Sequence, residues 1–167
     1  MELYHLSFQQ GLEGVWTPQP PAGTELNQKG KYTETARDRI SVSPSIEQCF
    51  FAVYPNVSKY VEELKYPYLE FWVYSPVNLS HAKVVTPEEY TRDRQIWDAH
   101  VTEEHGILTP TRFVCLGKVR ITVLKTRTPG VHTHPYNDPK EPLKYVGPKD
   151  IKVEWVKKTK LPVSVEW

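Results

Sequence analysis

The stretch Glu104-His105-Gly106-Ile107-Leu108-Thr109-Pro110-Thr111-Arg112-Phe113-Val114-Cys115-Leu116 decides how this chain is read. Two apolar runs, residues 106–108 and 112–124, are split by a Thr-Pro step. Aromatic and β-branched residues bounded by Pro and Gly favour strands. The pattern therefore predicts a late β-hairpin with a carboxylate at its mouth. Glu103 and Glu104 both stand in that position, and the spacing does not choose between them.

Outward from this point, short strands dominate. Residues 2–8, 39–43, 68–74, 83–85, 96–101 and 151–156 read as further strands by alternation or by aromatic content. The fifteen prolines work against long helices. One helix is clear: Ser45 can cap it, Glu47 falls in its first turn, and Ile46, Cys49, Phe50 and Val53 share a face. Residues 58–64 form a second, short helix candidate, and residues 88–96 a helical turn or loop. The polar stretch from Thr17-Pro18 to Asp38 reads as loop. The predicted class is α+β and mostly antiparallel.

At 167 residues the chain suits one domain with one sizeable core. Five Trp and ten Tyr spread along it argue against disorder. Its apolar runs are too short to span a bilayer. Met1-Glu2-Leu3-Tyr4-His5 has neither the basic nor the apolar region of a secretory signal, so a cytoplasmic protein is expected. Cys49 and Cys115, each among apolar neighbours, read as buried free thiols. Net charge is +1, yet residues 118–160 carry eleven Lys/Arg against four Asp/Glu, leaving −6 for the remainder. A basic C-terminal third can attract an anionic partner. Its charges are dispersed and no nucleic-acid motif accompanies them, which favours a plain solvated face.

Most other constellations fall away. His132, His134 and Asp138 have metal-ligand chemistry, but alternate residues on a strand point to opposite faces and no third ligand is evident. No metal site is therefore expected. Gly-rich phosphate loops, nucleophile elbows and Cys-x-x-Cys are absent from the sequence. Glu62-Glu63 and Glu88-Glu89 read as solvated helix faces.

Three segments remain: Leu3-Tyr4-His5-Leu6-Ser7, Arg39-Ile40-Ser41-Val42-Ser43-Pro44-Ser45-Ile46, and the block that opens at Glu104. In this order the chain resembles the ADP-ribosyltransferase superfamily, in particular its poly(ADP-ribose) polymerase and diphtheria-toxin branch. That branch has a His on the first strand, a strand-to-helix segment, and a late Glu followed by an apolar triplet and a Pro. The resemblance covers residues 2–124 and leaves 125–167 as a basic C-terminal extension of a single domain, 1–167. It implies two small sheets around an NAD+-binding cleft, with one or two short helices. Glu104 would be catalytic, while His5, Leu6, Ser41 and Tyr54 would bind NAD+ as co-substrate. Trp16 is an alternative to Tyr54 for stacking on nicotinamide. The acceptor would be a protein or a nucleic acid, with no membrane partner, in a small bacterial or phage protein acting in the host cytoplasm on host machinery or defence. The pattern departs from the branch at two positions: Leu6 stands where Gly usually follows the His, and Ser41 where Tyr is usual. The Glu-x-Glu spacing of arginine-modifying members is absent, because Thr102 holds the upstream position. A non-catalytic nucleotide- or protein-binding protein on the same scaffold is the competing expectation.

Overall fold

The computed structural model describes residues 2–20, 38–92, 102–127 and 144–160. In chain order these form strands β1 (His5–Ser7), β2 (Gly14–Trp16) and β3 (Ile40–Val42), then helix α1 (Ile46–Glu62) and strand β4 (Leu69–Pro76). A 3-10 turn (Leu79–His81), strand β5 (Val84–Val85) and helix α2 (Pro87–Arg92) follow. Strands β6 (His105–Ile107), β7 (Thr111–Val123) and β8 (Ile151–Lys158) complete the described chain. The class is α+β, with two antiparallel sheets and few helices, as expected.

The larger sheet runs β1-β4-β7-β2, with β8 also paired to β7; the smaller runs β3-β6-β5. This overturns the expected late hairpin. β6 and β7 belong to different sheets, and the Thr109-Pro110 step carries the chain from one to the other. β6 is satisfied on both edges by β3 and β5, so it has no edge left for β7. β2 was not expected either. Gly14-Val15-Trp16 is too short to display alternation, and it forms only by pairing with Thr111–Phe113 of β7.

Ser45 caps α1 as its chemistry suggests: extended itself, it accepts the Gln48 N–H at 3.1 Å through Oγ. The two expected helices are one. α1 runs unbroken through Pro55, whose ring removes one internal hydrogen bond. Packing outweighs that loss, because Phe50, Tyr54 and Val57 lie on either side of Pro55 and all are buried against the sheet. Residues 96–101, expected as strand, and the His132/His134/Asp138 group lie outside the described residues.

The core has two parts, on opposite faces of the larger sheet. On one face α1 covers Leu6, Phe71, Val73, Val119 and Ile121. On the other, Tyr74, Phe113 and Cys115 meet Leu3 and the apolar face of the smaller sheet: Ile40, Val42 and Ile107. β7 serves both cores with residues of the same parity, which a regular strand cannot do. A bulge permits it. Val73 pairs with Gly117 but Tyr74 pairs with Cys115, so Leu116 is the extra residue and the buried face switches there. Gly117 has φ +135° and lies so close to the Lys157 carbonyl of β8 that a Cβ would collide with it. Only glycine fits at the switch. β8 comes from the basic C-terminal segment, and its Ile151 reaches the α1 core together with Val146. No helix among the described residues is long and apolar enough to cross a membrane.

Candidate functional site

The two sheets are stitched together between Tyr4 and Ser43, whose backbones exchange hydrogen bonds of 2.8 and 3.0 Å. The next residue, His5, pairs with Tyr74 and so faces the smaller sheet, while Leu6 pairs with Val73 and faces α1. The His5 Nδ1–H donates to the Ser41 carbonyl at 2.8 Å. A carbonyl can only accept, so this bond fixes the neutral tautomer and leaves Nε2 as an acceptor. Burial pushes the His5 pKa below its ordinary value; the Ser41 carbonyl and the Glu104 charge pull it back in part. Trp16 stands edge-on to His5 with ring centroids 5.0 Å apart, itself stacked on Phe113 at 4.0 Å.

Ser41 lies opposite Gly106 in the β3–β6 ladder, so β6 delivers Glu104 to the same end of the smaller sheet. The two carboxylates are placed differently. Glu103 is exposed and left-handed, with φ +50°, and its carbonyl accepts the His105 Nδ1–H at 2.8 Å. Glu104 turns inward, 8% exposed, where Arg39 meets it. The Arg39 Nε–H and Nη2–H both donate to the Glu104 Oε1, at 3.0 and 2.9 Å, and Oε2 takes part in neither bond. The Arg39 guanidinium lies 5.5 Å from the ring centroid of Tyr90 on α2. Tyr90 in turn packs against Gly106, where an added Cβ would run into its hydroxyl.

His5, Ser41 and Glu104, far apart in sequence, are therefore brought to one seam. Tyr54 is not. It is fully buried in the α1 core on the far face of the larger sheet, with its hydroxyl bonded to that of Thr126. Trp16 is the aromatic beside His5. The Leu6 side chain points into the α1 core, away from the face that carries His5. Cys49 Sγ donates to the Tyr4 carbonyl at 3.0 Å, and burial pushes its pKa up to about 12, so it stays a protonated packing thiol. Both cysteines are free and buried.

Reading the sequence missed Arg39, Gly106 and Tyr90 as parts of the site. Arg39 carried a usable signal: it shares with Ser41 the polar face of an alternating strand. Tyr90 carried none, since nothing in Pro87-Glu88-Glu89-Tyr90 announces a partner in β6. Among the described residues no cluster of His, Cys, Asp and Glu is arranged to hold a metal ion. Comparison with known proteins gives no match: no family model, curated protein or solved structure is significantly similar to this chain.

Proposed function

We propose that this protein is an ADP-ribosyltransferase, moving ADP-ribose from NAD+ to a protein or nucleic-acid acceptor. The observation that carries the reading is the meeting of His5, Ser41 and Glu104 at the seam of two antiparallel sheets. Cleaving the nicotinamide–ribose bond develops positive charge on the ribose, as in glycoside chemistry. Nicotinamide leaves with the bonding pair and becomes neutral, so no general acid is needed. One carboxylate suffices. Glu104, anchored through Oε1, has Oε2 left to accept the ribose 2′-hydroxyl and to lie beside the developing charge. Neutral His5 offers Nε2 as acceptor to the adenosine ribose hydroxyls, and Trp16 offers a ring face or edge to nicotinamide. Ser41 contributes its carbonyl to fix His5. The acceptor nucleophile then attacks the ribose C1′ and releases its proton to solvent. An effector role for a phage or bacterium, directed at host machinery or defence, is part of this proposal.

The buried Arg39–Glu104 pair favours a second reading, a non-catalytic binding protein on the same scaffold, because a carboxylate with a buried partner is also what a structural ion pair looks like. Labelled NAD+ incubated with cell lysate separates the two. Wild type is expected to transfer label and Glu104→Gln to lose transfer while keeping its NAD+-dependent thermal shift. A shift without transfer in wild type establishes the binding protein. Neither shift nor transfer sinks the transferase reading and the NAD+-binding form of the second. Loss in Glu103→Gln but not in Glu104→Gln means the wrong carboxylate has been assigned.

A further inference from the structure

The Arg39–Glu104 contact is one-sided in a way that a purely structural ion pair has no need to be. An Arg fork and a carboxylate have matched geometry, and the strongest pair uses two parallel bonds to two oxygens. Here both donors converge on Oε1. Burying two charges is also a poor way to stabilise a core, since apolar side chains of similar volume do as well or better. The arrangement instead fixes the carboxylate plane and keeps one oxygen outside the pair.

Arg39 is itself held from behind. Its guanidinium lies against the Tyr90 ring at 5.5 Å, and that ring rests on Gly106, where any side chain would displace it. Gly106 sits in β6, two residues after Glu104, and opposite Ser41. The order of support is therefore Gly106, Tyr90, Arg39, Glu104, with every member buried.

We propose that Arg39 is a positioning residue: braced by Tyr90, it holds Glu104 through Oε1 and presents Oε2 to the ribose of NAD+. This rests on the transferase reading above. Lysine cannot substitute. Its ammonium is a point charge on a flexible stem, without the planar fork that sets the carboxylate's orientation.

The test uses the full chain and two measurements, one of which is independent of activity. In a 15N–1H spectrum the Arg39 Nε–H of wild type is expected to be resolved and slow to exchange, and to move in Glu104→Gln. An Arg39 Nε–H that exchanges freely in wild type overturns the proposal whatever the activity. Steady-state NAD+ consumption is then compared for wild type, Arg39→Lys and Tyr90→Leu. Arg39→Lys keeps both charges and is expected to lose kcat by about a hundredfold with KM within about twofold, the signature of a misplaced group rather than lost binding. Tyr90→Leu, which removes the brace, is expected to lose about tenfold in kcat. Unchanged kcat in Arg39→Lys, or a loss confined to KM, overturns the positioning role and leaves the transferase reading standing. A wild type that consumes no NAD+ while its Nε–H is protected overturns the transferase reading, and the pair is then structural.

Discussion

The two faces of the larger sheet are built on different principles. The α1 face is long and dry. A helix of 17 residues lies across strands of 8 and 13 residues, and its fully buried members, such as Phe50, Tyr54, Val73 and Val119, are nearly all apolar. The opposite face is covered by strands of two and three residues, and polar groups are buried around them: Arg39, Ser43, Thr102, Glu104 and His105. One half draws its stability from area and the other from specific partners. The candidate site lies in the half that is held by specific partners.

The largest expected effect breaks the dry half. Phe50→Ala opens a cavity between α1 and Phe71 and is expected to cost about 3–5 kcal/mol in urea unfolding, with an unchanged m-value. Next is the wet half. Glu104→Ala leaves the Arg39 guanidinium buried without its carboxylate and is expected to cost about 3 kcal/mol, the low end for a broken buried pair because the Glu104 side chain keeps a tenth of its surface exposed. The contrast sharpens in the double variant Arg39→Met/Glu104→Leu. It is expected to recover most of that loss and, on the proposed transferase reading, to abolish NAD+ turnover. No double replacement around Phe50 that removes the same volume recovers its loss. A double variant no more stable than Glu104→Ala would show that the polar half depends on the ion pair for its fold.

This difference also governs what the sequence made legible. The dry half was readable because its signals are local. Ser45 with Glu47 marks the start of α1, and the aromatic run of residues 68–74 announces β4. Pro55 misled, because a local rule against proline was outweighed by burial on both sides of it. The wet half was only half readable. Thr109-Pro110 looks the same whether it turns a hairpin or moves the chain between sheets, and strands such as β2 and β5 exist only through their partners. Glu104 was singled out by its setting. Arg39 was not, because its partner is 65 positions away and a charged residue opening a strand reads as solvated.

A smaller effect tests the brace. Gly106→Ala is expected to cost about 1–3 kcal/mol by forcing the Tyr90 ring off the strand. Tyr90→Phe removes the atom that an added methyl meets first. The double variant should therefore be more stable than the sum of the two single losses by at least about 0.5 kcal/mol. Strict additivity in thermal or urea unfolding would place the strain elsewhere. The same substitution at the switch residue Gly117 has a different outcome, because there the added atom meets the Lys157 backbone, and no side-chain change can relieve it.

The smallest effect is in protons. His5 is held neutral by burial, with Glu104 pulling its pKa part of the way back towards the ordinary value. Its NMR titration midpoint is therefore expected below 6.5, and lower still in Glu104→Gln, where the favourable charge is gone. In the unfolded chain His5 takes up a proton near its ordinary pKa, whereas the folded chain takes it up only at lower pH. Stability at neutral pH is unaffected. It falls as pH drops below 6.5 and through the depressed folded pKa. His5→Gln removes this slope. Asp150 behaves differently. The Arg127 guanidinium beside it and the Gly147 N–H hold its carboxyl below the ordinary value, so its contribution persists until more acid conditions and is lost only as pH falls through that depressed pKa. Acid unfolding followed by tryptophan fluorescence should accordingly lose its first step in His5→Gln and keep its last. A first step that survives His5→Gln would mean that another group carries it and that folding leaves the His5 pKa where it is in the unfolded chain.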